Sequence, residues 1–261
     1  MTSSEARKIH FGFFKKPVIT KDDEFMFEEA SAFLLSNGDR DSRVIAYNLA
    51  GHYFEHGEYE LALKYFTIAE DDSLGLSAYY IGMIHYYGLV GSPDYEKAFQ
   101  CFSKGADMNS RSRVMLAVMY RDGRGVKRDL IQYSRMMESM YDEAMAGYGQ
   151  TVARPYIFFH TAEIMKMAKA VPQAAAMYKK AWEEWENAAF MRLASDALPL
   201  MGAIVRGLYS VSKRDEEHLR LFDLYDILTR PSQVEFTYRE QAYRIISHDE
   251  GTFDVYVRES G

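Results

Sequence analysis

Two histidines four residues apart, His52 and His56, flank Glu55. On one helix that spacing would let two imidazoles share a metal ion. A third ligand is not evident in the pattern. His56 also precedes Gly57, where a cationic side chain suits the negative end of a helix. The turn Gly123-Arg124-Gly125-Val126-Lys127 offers a superficial phosphate cradle, but lacks the preceding strand and the G-x-x-x-x-G-K-[ST] spacing of a phosphate loop. Cys101, beside Phe102, reads as a buried inert thiol rather than a nucleophile. The acidic runs Glu183-Glu184 and Asp215-Glu216-Glu217 read as solvated helix faces. The expectation is a protein with no catalytic residues, no metal and no cofactor.

The elements around these residues explain that bias. Tyr47-Asn48-Leu49-Ala50 and Tyr53-Phe54 lead to the turn Gly57-Glu58-Tyr59, then to Ala62, Phe66 and Ala69. Small residues stand where two helices cross and aromatics fill the gaps beside them. The pattern returns at Ile81-Gly82 with Ala98, Phe102 and Ala106, and again at Leu116-Ala117 with Tyr120. From Ala50 to Gly82 is 32 residues and from Gly82 to Ala117 is 35, the period of helical solenoids. His52 and His56 therefore fall inside a repeat helix. Thr20-Lys21-Asp22-Asp23 predicts a capped helix start and Asn37-Gly38 its stop.

On these residues the chain is similar to two related families. The first repeat, about 41–72, resembles a tetratricopeptide repeat through Tyr47-Asn48-Leu49, Tyr53, Gly57, Tyr59, Ala62, Phe66 and Ala69. The third, about 109–147, resembles a Sel-one-like repeat, whose turn Gly-x-Gly-Val-x-x-Asp is met by Gly123, Gly125, Val126 and Asp129. The second, about 73–108, is similar to the same family through Gly88, Asp94, Lys97-Ala98 and Gly105-Ala106. The third departs at Tyr133 and Tyr141, where the second has alanines, which predicts a wider crossing or a break in the stack. The resemblance implies an all-α fold, a right-handed superhelix of roughly five antiparallel helix pairs. It also implies that the first helix of each repeat faces a concave, partner-binding side. Matching positions are Tyr47, Asn48, Phe54 and Glu55; Tyr79, Tyr80, Met83, Tyr86 and Tyr87; and Arg111, Met115, Val118 and Arg121. Tyr, Met and Arg are enriched at interface cores.

The expected organisation is an N-terminal arm and capping helix over 1–40, with residues 1–20 extended or loosely docked. The repeats follow over 41–147 and divergent helical repeats over 148–230. Among these, Ala174, Tyr178 and Ala181 match the spacing of Ala62, Phe66 and Ala69, and mark a fourth pair over about 154–187. A fifth pair is expected over 189–211 and 215–229. A capping helix over about 232–247 and a short tail, strand-like from Thr252 to Arg258, complete 231–261.

The chain of 261 residues is 48% hydrophobic, enough for a packed core, and 15% aromatic. Its net charge of −7 argues against general nucleic-acid or anionic-membrane binding. The single cysteine fits a reducing compartment. The apolar patch Phe11-Gly12-Phe13-Phe14 is too short for a secretory core, and no run approaches a membrane span. The expected protein is a cytoplasmic, non-catalytic scaffold for a protein or peptide partner. Two alternatives accompany it. One is a regulatory subunit that docks a pathway enzyme, as in surface-polysaccharide assembly. The other is an enzyme with a site in the second half around His160 and His218.

Overall fold

A computed structural model describes residues 1–16, 18–70, 75–148, 151–190, 197–211, 233–238, 241–247 and 253–257. The chain divides into two compact units, Met1–Met136 and Met137–Gly261.

The first unit begins with a helix where the sequence predicts an extended arm. Helix α1 spans Ser3–Phe13. Thr2 caps it: its hydroxyl accepts from the Glu5 backbone N–H, and the Glu5 carboxylate accepts from the Thr2 backbone N–H at 2.7 Å. Two of the otherwise unsatisfied donors of the first turn are thereby paired. Ala6, His10 and Phe13 recur on one face, and all are buried. That face packs on α2, Lys21–Ser36, which starts at a second capping box, Thr20 with Asp23. Phe13 and Phe27 stack at 4.4 Å between centroids. Arg7 spans to Asp39 and Asp41, tying α1 to the loop that leads into α3, Ser42–Glu55.

Two helix pairs follow, in the order the repeats predict, and a further helix packs on the second of them. Helix α3 pairs with α4, Tyr59–Ile68. Helix α5, Leu76–Tyr87, pairs with α6, Tyr95–Gly105. Helix α7, Ser110–Asp122, packs against α6 and α5, and α8, Leu130–Met145, begins after Asp129 accepts from the backbone N–H groups of Ile131 and Gln132. The crossing residues are core. Ala50, Ala62, Phe66, Ile81 and Ile84 form one cluster. Ala98, Phe102 and Met119 form the next with Tyr79, Met83 and Tyr86. Gly82 shows why a small residue is needed: a Cβ there would stand 2.6 Å from the Phe102 ring.

In the second unit, a short 3-10 turn, Thr151–Ala153, leads into α9, Arg154–Met167, with Pro155 in its first turn. Helix α10, Val171–Phe190, packs on α9, and α11, Ala197–Val211, packs on both. The predicted fourth pair is present, with Ala174, Tyr178 and Ala181 fully buried. The predicted helix over 215–229, His218 and the acidic run at 215–217 lie outside the described residues.

The capping helix expected over 232–247 is absent, and two strands stand in its place. Strand β1, Gln233–Tyr238, pairs antiparallel with β2, Gln241–Ser247, which pairs antiparallel with β3, Phe253–Val257. The register sets Val234 opposite Ile245 and Tyr243 opposite Val257. Alternation of Val234, Phe236 and Tyr238 at every second residue suits a strand rather than a helix. The strand expected near the end of the chain is β3, which is paired rather than a lone tail.

Candidate functional site

The first helices of the repeats, α3, α5 and α7, carry the residues singled out for partner binding, and the structure sorts those residues into three groups. Tyr80 is the hub of the first. It is half-buried on α5 and its ring stacks on Phe66 at 4.8 Å with an interplanar angle of 3°. Phe54 meets it edge-on at 5.1 Å and Tyr47 lies at 6.4 Å. The Arg111 guanidinium from α7 lies 4.2 Å from the Tyr79 ring centroid and 5.4 Å from that of Tyr80. A cation over aromatic faces is held by the ring quadrupole. Tyr47, Phe54, Tyr80 and Arg111 thus form a partly exposed band across three successive repeats. Met115 is half-buried beside it, against the Tyr79 cluster. Tyr87 is exposed, at 56%.

A second group is core and offers no surface to a partner. Tyr79, Met83 and Tyr86 are 3%, 9% and 5% exposed, and Val118 is buried as well. Successive helical residues point about 100° apart, so Tyr79 turns inward where Tyr80 turns to the rim. Asn48 belongs elsewhere. Its Nδ2 lies 3.1 Å from His10 Nε2, so it seats α1. The polar chain there fixes a tautomer. The Ser31 hydroxyl donates to the Phe27 carbonyl at 2.5 Å, leaving its oxygen to accept from His10 Nδ1–H at 2.7 Å, and His10 Nε2 then accepts from Asn48. Burial, with Arg7 nearby, pushes the His10 imidazole down to about 4 and keeps it neutral.

Arg121 forms the third group. Its guanidinium pairs with Asp122, with Nε donating at 2.7 Å, and lies 5.9 Å from the Tyr133 ring centroid. It is committed within its own repeat, and its hydrogen bonds to the Asp122 carboxylate hold it protonated.

The histidines four residues apart pair with α2. His52 Nε2 lies 3.0 Å from Glu28, whose second oxygen accepts from the Tyr53 hydroxyl at 3.1 Å. His56 Nδ1 donates to the His52 carbonyl at 2.8 Å, which raises its basicity, and Nε2 lies 3.3 Å from Glu24. Glu55 is exposed. Among the described residues no cluster of three or more His, Cys, Asp and Glu side chains could hold a metal ion. Cys101 is half-buried, and burial pushes its thiol up to about 11. His160 is 6% exposed on α9. Among the described residues no helix is long and apolar enough to cross a membrane.

The turn after α7 carries residues that reading by repeat position overlooks. Gly123 and Gly125 take positive φ of 69° and 68°, and a Cβ at Gly125 would stand 2.1 Å from the Tyr95 carbonyl oxygen. Between them Arg124 lies 5.4 Å from the Tyr86 centroid and 5.3 Å from the Tyr95 centroid, and its Nη1 donates to the Tyr86 hydroxyl at 2.8 Å. The signal available in the sequence was charge. Residues 111–128 hold six Arg or Lys against one acid, Asp122, in a chain of net charge −7.

The Sel1 repeat family model matches residues 45–72, 75–110 and 110–133. No curated protein matches the chain. Among solved structures, a Sel1 repeat protein from Oxalobacter formigenes is similar over 86% of this chain and 85% of its own, at 15% identity and a TM-score of 0.60. A protective antigen present in uropathogenic Escherichia coli strains, displaying an SLR fold, is similar over 86% of this chain and 61% of its own, at 13% identity and a TM-score of 0.46. The three matched segments coincide with the pairs α3–α4 and α5–α6 and with the start of the third repeat. Small residues at the crossings of α3–α4 and α5–α6, glycine turns at positive φ and the order of the helices all agree with that match: residues 45–133 are Sel1-like repeats.

Proposed function

We propose that the protein is a non-catalytic scaffold that binds a protein or peptide partner along the first helices of its repeats. Repeats of this family generally serve as protein-interaction scaffolds, and stacked helix pairs present extended surfaces suited to that role. The observation that carries the reading is the band of Tyr47, Phe54 and Tyr80 with Arg111 laid on it, continued by exposed Tyr87. Tyrosine gives contact area at low entropic cost and keeps a hydroxyl for hydrogen bonding. The single cysteine supports placement in a reducing compartment, here read as the cytoplasm.

The test is affinity capture from the native host with the wild-type protein and with Tyr87→Ser/Arg111→Ser. Tyr87 is exposed and Arg111 is half-buried over Tyr79, so circular dichroism and thermal melting are followed alongside and should stay near wild type while partner recovery falls at least tenfold. Recovery of the same partners at wild-type strength would remove this face as the binding site. Tyr80 and Arg121 are poorer probes, because the first stacks on Phe66 and the second pairs with Asp122.

A further inference from the structure

Three cations stand on one short turn: Arg124, Lys127 and Arg128 are all exposed. Among the described residues none of them lies within ion-pair distance of a carboxylate. The backbone beneath them is fixed. The Asp129 N–H donates to the Tyr120 carbonyl at 2.8 Å, Arg128 Nε donates to the Arg121 carbonyl at 3.0 Å, and Gly125 rests against the Tyr95 carbonyl. Arg124 is held in turn by the rings of Tyr86 and Tyr95 and by one hydrogen bond to the Tyr86 hydroxyl. A guanidinium has five donors in a rigid fork. With one donor spent on a tyrosine and the plane steadied by two rings, the rest are presented without the entropy loss of ordering a mobile side chain.

We infer that this turn is the docking point for an acidic segment of the protein partner. Asp or Glu carboxylates take the remaining Arg124 donors, and Lys127 and Arg128 supply the surrounding positive field. The inference rests on the protein-binding reading above and names the chemistry of the partner. Charge complementarity favours a short acidic peptide over a nucleic acid. Three cations on a chain of net charge −7 offer few of the phosphate contacts that dominate nucleic-acid affinity.

The test is fluorescence anisotropy with a labelled poly-glutamate peptide, its poly-glutamine counterpart, and an oligothymidylate of equal formal charge. Poly-glutamate should bind in a salt-sensitive manner and poly-glutamine should not. Arg124→Ala/Lys127→Ala/Arg128→Ala should weaken the glutamate peptide at least tenfold. Arg124→Lys keeps the charge and the fold but loses the planar fork, and should weaken it severalfold. Equal binding of poly-glutamine, wild-type affinity in both variants, or tighter binding of the oligothymidylate would each overturn the inference. If poly-glutamate fails while the Tyr87 and Arg111 variant still loses its partner, the acidic chemistry is wrong and the protein-binding face stands. If poly-glutamate binds as expected while that variant keeps its partner, the face is wrong and the basic turn stands.

Discussion

Phe102 in the first unit and Tyr178 in the second occupy the same kind of seat. Each is fully buried against a glycine of a neighbouring helix, Gly82 on α5 and Gly207 on α11. A Cβ would reach within 2.6 Å of the Phe102 ring and 2.2 Å of the Tyr178 ring. They differ in what holds the ring. Phe102 sits in an apolar cluster, whereas the Tyr178 hydroxyl donates to Glu163 on α9. A ring held by packing can tilt, and a ring pinned by its hydroxyl must break a hydrogen bond to do so. Gly125 extends the series, because what faces it is the backbone of Tyr95. The rigidity of the occupant, more than the free space, sets how costly each glycine is to replace.

Filling the most rigid seat should cost most. Gly125→Val adds a β-branched side chain at φ 68° and a carbon 2.1 Å from a carbonyl oxygen. Backbone strain and overpacking together should destabilise by about 3 kcal/mol or more. Urea denaturation would show it as a lower midpoint, and an unchanged midpoint would break the ranking.

The α1 seat is pinned by a ring that titrates. Unfolded, His10 takes a proton near its ordinary value of 6.5, and folded only near 4. Its contribution is therefore complete above pH 6.5 and is lost as pH falls towards 4. The loss is on the order of 3 kcal/mol for a shift of that size. The groups facing the ring are Arg7 on its own helix, Asp39 in the next loop, Ser31 on α2 and Asn48 on α3. His10→Phe should flatten the pH dependence of stability between 6.5 and 4, measured by denaturation at each pH. Persistence of the full slope in that variant would place the titrating group elsewhere.

The two ring seats make the finer test. Gly207→Ala should cost about 2 kcal/mol and Gly82→Ala about 1 kcal/mol, each being overpacking partly offset by alanine's better helix propensity. Hydrogen exchange should lose protection in α10 and α11 for the first and in α5 and α6 for the second. Adding Tyr178→Phe to Gly207→Ala should recover part of the loss, since the freed ring can move. A strictly additive double-mutant cycle would show that the Glu163 hydrogen bond does not pin it.

The regular part of the fold was legible because one device repeats. Ala50, Gly82, Ala98 and Phe102 announce crossings by size and spacing, and the same spacing found Ala174, Tyr178 and Ala181. Helix α1 was missed although Thr2-Ser3-Ser4-Glu5 carries the capping signal that located α2 at Thr20. The hairpin was missed because Val234, Phe236 and Tyr238 alternate at period 2 in a stretch assigned to a helix by analogy with the repeats. Of the binding face, residue type was legible but orientation was not. Tyr79 and Tyr80 are adjacent and chemically identical, and only packing against Phe102 and Phe66 separates core from rim. Arg124 escaped because its turn is matched by the glycines, Val126 and Asp129 of the repeat motif, none of which carries a positive charge.

The half-buried sulfur of Cys101 has a practical consequence. A thiol pushed up to about 11 is barely ionised at neutral pH. A cysteine introduced on the open turn, at Lys127 for instance, would carry an ordinary value near 8.5 and hold roughly 300 times more thiolate. Maleimide dyes would then mark the new position in a single step with the native residue left in place. The protein thereby arrives ready for a fluorophore beside its basic turn, from which distances to an arriving partner can be read one molecule at a time.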